Sequence, residues 1–134
     1  MDGKVDWNQL VDALRDELQE KGGLIRLLDQ QVQAVYRRDT HQNEYLEEQI
    51  RLQLRVIARS TQIRESILRQ SASSFQLSED VRVNELIAHF PDFVRPLLEA
   101  LVTEVDRLSN RLQEHLGQNE GLKQRFLVET APGA

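Results

Sequence analysis

Apolar residues recur along this sequence with spacings that alternate between four and three residues. In the last third of the chain, the repeat extends from Val94 to Phe126 and keeps one stripe on one side of a helix. A stripe of that length is too apolar to remain in water, so we expect it to face other helices. Its upstream half is apolar, whereas His115 and Asn119 occupy its downstream half, with Gly117 beside them. The stripe consists of Val94, Leu98, Leu101, Val105, Leu108, Leu112, His115, Asn119, Leu122 and Phe126.

The first third of the chain carries a similar stripe, which predicts a helix over residues 7–37 with Asp6 as its cap. Gly22 and Gly23 lie in its middle, where each glycine costs about 1 kcal/mol relative to alanine. Because the stripe keeps its phase on both sides, we expect one continuous helix, with a break into two helices as the alternative. Lys21 interrupts the stripe, and its stem can lie on apolar surface while its charge reaches water. The stripe consists of Trp7, Val11, Leu14, Leu18, Lys21, Ile25, Leu28, Val32 and Val35.

The apolar pattern predicts a second helix over residues 41–72, in which polar residues interrupt the middle of the apolar stripe. The turn before it is short, so this helix should run antiparallel to the first, with Asp39 or Thr40 as its cap. Glu47 and Arg51 lie four residues apart, in the orientation that favours an ion pair along a helix. The apolar positions are Leu46, Ile50, Leu54, Ile57, Ile63, Ile67 and Leu68, and the polar positions on or beside the inward face are Gln53, Ser60, Thr61 and Arg64.

Prolines and capping residues delimit two further helices. Ser78 can cap a short helix that Pro91 stops. Asp92 can cap the last helix, and Pro96 is tolerated in its first turn because the amides there lack helical partners. The predicted helices are therefore about 7–37, 41–72, 79–90 and 93–128, followed by a tail at 130–134.

Together these elements predict an all-α fold, namely an elongated antiparallel helical bundle or coiled coil of three long helices and one short helix. The chain has 134 residues, enough to enclose a hydrophobic core, so we expect residues 1–134 to form a single helical domain. Apolar residues make up 40% of the chain and charged residues 29%, which is typical of a soluble helical protein and too apolar for a disordered one.

Composition also excludes several classes of function. Cysteine is absent, which removes disulfides, thiolate catalysis and cysteine-based metal sites. The formal charge of −5 argues against general nucleic-acid binding. The first residues are charged rather than apolar, and the apolar runs are far too short for a membrane span. We therefore expect a cytoplasmic protein that does not insert into membranes.

The sequence contains little that suggests catalysis. Its three histidines, His41, His89 and His115, lie on different predicted elements, and the Glu-x-x-His units of di-iron bundles are absent. Glu85 and His89 are four residues apart but lack partner ligands for a metal. No phosphate-binding glycine loop and no catalytic triad is recognisable. We therefore predict a protein that is not an enzyme, with no catalytic residues, no metal site and no cofactor.

Arginines follow one another along the second predicted helix, with Glu65 as the acidic residue among them. A basic stripe of this kind could bind nucleic acid or acidic lipid. We favour a solvated face that also neutralises acidic neighbours on other helices, since the arginines are not interleaved with aromatic residues and the protein is acidic overall. The arginines are Arg51, Arg55, Arg59, Arg64 and Arg69.

Short motifs in order along the chain carry a resemblance to a known family. They are Leu14 to Leu18, Leu24-Ile25, Leu27-Leu28 and Ala34-Val35, the Arg-Arg-Asp turn at 37–39, Leu46, Gln49 and Ile50, the segment from Val83 to Phe90 that ends in proline, Pro96-Leu97-Leu98-Glu99-Ala100-Leu101, Asn110-Arg111-Leu112, and Gln118-Asn119 followed by Leu122. In these motifs, and in the order and length of its elements over nearly the whole chain, the sequence resembles the FlgN-type flagellar export chaperones.

This resemblance implies a cytoplasmic, non-catalytic protein that binds the C-terminal helical segments of hook-associated proteins, which form the hook–filament junction. Such a chaperone prevents premature assembly and delivers its clients to the export gate and ATPase components of the type III machinery. The family binds its clients through the C-terminal part of the chaperone, which here is the helix beyond about Leu108.

The periodicity supplies a mechanism that fits this expectation. An amphipathic client helix can lie in an apolar groove, and the polar and glycine residues near the end of the last helix should weaken its own packing. The alternatives are that these leucines are ordinary core, and that the chain is a coiled-coil adaptor or scaffold without a secretion client. We also expect at most a weak homodimer. The predicted partner-binding residues are Leu108, Leu112, Leu116, Asn119, Leu122 and Phe126.

Overall fold

The computed structural model describes residues 7–128, and the regular elements in that range are all helical. Three long helices and one short helix confirm the predicted all-α helical bundle. The predicted cap Asp6 and the predicted tail at 130–134 lie outside the described residues. The helices are α1 (Trp7–Tyr36), α2 (Thr40–Ser74), α3 (Val83–Ile87) and α4 (Arg95–Lys123), and one π-helical segment, Gln124–Val128, follows α4 directly.

Helix α1 passes through Gly22 and Gly23 without a break, as the unbroken phase of its stripe predicts. The side chain of Gln53 lies against this point, and its amide donates to both the main-chain carbonyl and the carboxylate of Glu20, at 2.8 and 2.9 Å. A Cβ on Gly23 would lie 3.2 Å from that amide nitrogen. The absence of a side chain at residue 23 therefore lets Gln53 close over the backbone of α1.

A tight turn joins α1 to α2. Arg38 adopts a left-handed conformation (φ 52°), and the amide of Asp39 donates to the carbonyl of Ala34 at 2.9 Å. The Asp39 carboxylate then accepts from the amide of Gln42 at 3.0 Å, which satisfies one of the free amides in the first turn of α2. The prediction that Asp39 caps this helix is therefore confirmed.

The prediction for the short helix is wrong at its start. Helix α3 begins at Val83 after an extended residue, Arg82, which makes no side-chain capping bond. The Ser78 hydroxyl instead accepts from the amide of Asp80 at 3.2 Å, within a turn closed by the amide of Val81 and the carbonyl of Ser78. A serine can satisfy the amides of a turn as readily as those of a helix, so the capping motif alone does not locate the helix.

The last helix also begins slightly later than predicted. Asp92 does not cap it, because α4 begins at Arg95 and the Asp92 carboxylate pairs with the Arg95 guanidinium at 3.0 Å. Pro96 lies in the first turn, as expected of a residue without an amide hydrogen.

Contacts divide the chain into two compact units, and the single domain expected from chain length stays a prediction. The first unit contains described residues 7–19 and 58–107. A buried ion pair lies in it: Arg64 donates to the Glu17 carboxylate at 2.5 and 3.3 Å, and Thr61 donates to the same group at 3.2 Å. This contact confirms for Arg64 that an arginine of α2 neutralises an acidic neighbour. The core of the unit consists of Leu10, Val11, Leu14, Ala72, Leu86, Ile87, Phe90, Val94, Leu98 and Val105.

The second unit contains described residues 20–57 and 108–128. Lys21 is buried in it and donates to the Ser109 hydroxyl at 2.6 Å, so the prediction that its charge reaches water is wrong. The periodicity of α1 could not show that Ser109, on α4, lies within hydrogen-bonding distance of the ammonium group. The core consists of Leu24, Ile25, Leu28, Ile50 and Leu112, with Leu27, Ile57, Leu108 and Leu116 packed against it.

Two apolar residues that were predicted to lie on the inward stripe of α2 are exposed. Leu54 retains 40% of its accessible surface in the second unit, and Ile63 retains 48% in the first. The inward face is occupied instead by polar residues that find partners, such as Gln53 and Arg64. The predicted stripe is correct at Leu46 and Ile50, which are buried, and at Ile57, Ile67 and Leu68, each of which packs against the core of its own unit.

Candidate partner-binding site

The six predicted partner-binding residues lie at different depths in the second unit. Leu112 and Asn119 are buried, with 6% and 3% of their surface accessible. The other four, Leu108, Leu116, Leu122 and Phe126, are half-buried. Because only half-buried side chains keep surface for a partner, the four residues of the second group can contact one directly while Leu112 and Asn119 support the helix from within.

Asn119 is anchored to α1. Its amide nitrogen donates to the carbonyl of Leu28 at 2.9 Å and to the side-chain oxygen of Gln31 at 3.0 Å. Its own side-chain oxygen is buried and accepts no hydrogen bond from the residues described here. Hydrogen bonds therefore hold this end of α4 to α1, whereas the upstream part of the stripe is apolar.

Gln31 connects this anchor to α2. Its amide nitrogen donates to the side-chain oxygen of Asn43 at 3.1 Å and to the Glu47 carboxylate at 2.6 Å. Because its oxygen accepts from Asn119 while its nitrogen serves α2, its orientation is determined on both sides. One buried glutamine thus joins three helices through a continuous chain of hydrogen bonds.

Lys123 closes the same network at the end of α4. Its ammonium group contacts both oxygens of Glu47, at 2.9 and 3.0 Å, and also Glu120 at 3.0 Å. Burial alone would raise the pKa of Glu47, but hydrogen bonds from Lys123 and Gln31 outweigh it and hold the pKa below its ordinary value. Burial alone would lower the pKa of Lys123, but its bonds to the two carboxylates leave the pKa raised. Both groups are therefore charged at neutral pH.

The predicted ion pair between Glu47 and Arg51 does not form as expected. Glu47 turns to Lys123 and Gln31, and Arg51 pairs with Glu48 one turn away on the exposed side of α2. A partly buried partner competes better for Glu47 than a solvated one does, because charges attract more strongly where water is scarce.

Phe126 lies in the π-helical segment that follows α4 and contacts residues near the end of α1. Its ring lies 5.1 Å from the ring of Tyr36, and the Arg38 guanidinium lies over it at 5.4 Å. Contacts of both kinds contribute about 1 kcal/mol each at partly exposed sites. π-Helical turns occur often at functional sites, where they change which side chains a helix presents.

An open depression lies beside these residues and is lined by Gln118, Gly121, Leu122 and Arg125. Gly121 contributes no side chain, and a Cβ placed there would meet no described atom within 4 Å. The apolar wall of the depression is Leu122, and its basic rim is Arg125. The depression has the chemistry to accept an apolar side chain next to an acidic or polar group.

His115 lies at the edge of the same unit. Its ring nitrogen Nδ1 is 4.0 Å from the carboxylate of Asp29, and its side chain remains partly accessible. Within residues 7–128, no group of three or more His, Asp or Glu side chains is arranged to hold a metal ion. The helices described also include none with the length and hydropathy needed to cross a membrane.

No family model matches this sequence, and no match was found among curated protein sequences or solved structures.

The polar network around Asn119 was not predicted beyond Asn119 itself. Gln31 could have been found, because Leu24, Leu28, Gln31 and Val35 form a second four-three series on α1. No comparable signal points to Glu47 or Lys123, since both resemble the solvated charges on any helix surface.

Proposed function

We propose that this chain is a FlgN-type export chaperone, a cytoplasmic protein that binds the C-terminal helical segments of hook-associated proteins. The observation that supports this most directly is the state of the last helical turns in the second unit. There, Leu116, Leu122 and Phe126 are half-buried, and Leu122 borders an open depression. Apolar residues in such positions favour a helical partner over a solvated surface.

In the proposed mechanism, a client helix lies along the end of α4 with an apolar side chain in the depression at Gly121. Leu122 and Phe126 then contact the client directly, while Leu116 and Leu108 contribute the surface about two and four turns upstream of Leu122. Leu112 and Asn119 keep α4 in place from within. The bound segment cannot assemble until the chaperone delivers it to the export gate and its ATPase components.

The proposal assigns no reaction to this protein. Its work is to bind, protect and release, so it calls for no catalytic residue and no cofactor, and it involves neither nucleic acid nor membrane insertion. Release follows when a component of the export machinery binds the client or the chaperone more tightly, as any reversible complex allows.

The test is co-purification with the C-terminal segments of hook-associated proteins. We expect wild-type protein to retain such a segment and the double variant Leu122→Ser/Phe126→Ser to lose it, with a melting temperature close to that of wild type. Leu97→Ser, at an apolar position of α4 that is distant in sequence from the candidate site, is the control and should retain the segment. If the double variant unfolds, these residues are core; if it folds and still binds, the site lies elsewhere.

A coiled-coil adaptor without a secretion client is the second candidate. It is favoured by apolar residues that α2 leaves exposed in the second unit, among them Tyr45, Leu52 and Val56. Mass measurements at two concentrations separate the candidates, since a chaperone should be a monomer or a weak dimer and a scaffold should form a stable higher oligomer.

A further inference from the structure

Helix α2 carries an apolar face that remains exposed among residues 7–128. Tyr45, Leu52 and Val56 keep 58%, 43% and 42% of their surfaces accessible. Their spacings of seven and four residues place all three within about 40° on the helix, with Gln49 between them. The buried positions Leu46 and Ile50, and the half-buried Gln53, lie on a different side of α2. We call Tyr45, Gln49, Leu52 and Val56 the outer face of α2.

Two opposite charges border this face on one side. Glu48 and Arg55 are separated by one heptad, so they lie above each other along α2, with Leu52 between them. Arg55 is exposed and forms no hydrogen bond or ion pair with the residues described here. Glu48 shares one of its oxygens with Arg51, in an exposed pair three residues apart, and its other oxygen is available.

When two copies of α2 run in opposite directions, the acidic residue of each copy lies near the basic residue of the other. If a second copy of α2 lies antiparallel, Tyr45 of each copy comes opposite Val56 of the other, and Gln49 opposite Leu52. The same register brings each Glu48 near an Arg55 of the other copy. A parallel two-fold arrangement would instead place this charged flank of the two copies on opposite sides of the contact, so Glu48 and Arg55 would not meet across it.

We propose that the outer face of α2 is the interface of an antiparallel homodimer. The occupant is a second copy of this chain because the charges flanking the apolar residues are balanced and self-complementary; a strongly acidic or basic partner would meet a repulsive residue at one end. The interface does not include the candidate site on α4 and does not depend on the proposed client.

The dimer is weak. The outer face extends over 12 residues of one helix, a length of about 17 Å, which is shorter than the patch of a stable interface. Dimerisation should therefore depend on concentration in the high-micromolar range and fall with salt, since its ion pairs are exposed.

Sedimentation equilibrium with charge-reversed variants tests the proposal. Glu48→Arg alone places two arginines opposite each other across the interface, and Arg55→Glu alone places two glutamates there. Each variant should dimerise at least about tenfold more weakly than wild type, because two attractive pairs become two repulsive ones. An equal mixture of the two variants should form a heterodimer as strong as the wild-type dimer, since every pair is then attractive.

The apolar part of the face has a matched control on the same helix. Leu52→Ser should abolish the dimer, whereas Leu54→Ser should leave it unchanged, because Leu54 is similarly exposed (40%) but points about 160° away. Circular dichroism of each variant checks that the helices are intact.

Several outcomes would overturn the homodimer. These are a wild-type protein that stays monomeric at high concentration, a mixture that does not recover association, or equal effects of the two leucine variants. If the wild type is monomeric and a hook-associated segment is lost on Leu52→Ser, a client occupies the face instead. Retention of client by the Leu52→Ser monomer supports two separate surfaces, so failure of the dimer and failure of the chaperone proposal are distinguishable.

Discussion

Replacing Asn119 by aspartate should destabilise the protein far more than the small change in shape suggests. The substitution exchanges the donating amide group for a carboxylate oxygen at a side chain that is 3% accessible. That oxygen would face the carbonyl of Leu28 and the side-chain oxygen of Gln31, at the positions where the native amide donates. Two hydrogen bonds are lost and an acceptor is brought against two acceptors.

The cost can be worked from the burial of the new group. A carboxyl group in this position should have its pKa raised by about 2 to 3 units, because burial and the facing oxygens both disfavour the charged form. At about 1.36 kcal/mol per unit, the loss in the free energy of unfolding is about 3 to 4 kcal/mol at pH 7. Rotating the Gln31 amide does not relieve it, since its nitrogen would then leave Asn43 and Glu47.

The sign of the pH dependence follows from the raised pKa. Below the unfolded value of about 3.9 the carboxyl group is neutral in both states and costs no charging energy. The cost grows as pH rises towards the pKa of the folded state and is then constant. The difference from wild type should therefore be about 2 kcal/mol smaller at pH 5 than at pH 7.

Urea denaturation at the two pH values measures this difference. Asn110→Asp is the matched control, because Asn110 is an exposed asparagine on the same helix and should change stability by less than about 0.5 kcal/mol. An Asn119→Asp variant as stable as wild type at pH 7, or equally destabilised at both pH values, would refute the account of Asn119 as a buried donor.

Three further predictions concern both units. Lys123→Met should lower the free energy of unfolding by about 1 kcal/mol, as its pair with Glu47 is partly solvated. In wild type, the pair should contribute fully between pH 4.5 and pH 10.5, which are the ordinary pKa values of the two groups. The contribution should decrease as acid protonates Glu47 or as base neutralises Lys123. Measuring unfolding of both proteins as a function of pH checks this prediction. Arg64→Met should cost about 3 kcal/mol in denaturation by urea, and less when Glu17→Gln is added, because the buried carboxylate that Arg64 contacts is then removed as well. Gly22→Ala should raise stability by about 0.5 to 1 kcal/mol in the same assay, since the nearest side-chain atom would be 3.8 Å away; a lower stability would contradict the unstrained site.

Much of the candidate site could be predicted because one stripe of residues extends along the last helix. The four-three spacing placed Leu112 and Asn119 on its inward side, and both are buried. The same spacing could not separate them from Leu122 or Phe126, which are only half-buried. Periodicity reports the direction of a side chain around a helix, whereas depth depends on how closely the neighbouring helices approach at that level.

Charged residues show the limit of local reasoning. Glu47 and Arg51 satisfy the rule for a pair along a helix, yet Glu47 binds Lys123, which is 76 residues away in sequence. Lys21 resembles a residue whose charge reaches water, yet it donates a hydrogen bond to the Ser109 hydroxyl inside the second unit. In both cases a hydrogen-bond partner belongs to another helix, and sequence spacing carries no information about that helix.

The sequence by itself determined the three long helices and the inward sides of α1 and α4, because hydrogen bonding and hydrophobic period within a helix are local properties. It therefore specified a continuous α1 through two glycines and the all-α bundle. Only the tertiary structure decided which polar groups meet, such as the chain from Asn119 through Gln31 to Glu47. It also decided which apolar residues of α2 stay exposed, because the surface buried at each position depends on the helices packed against it.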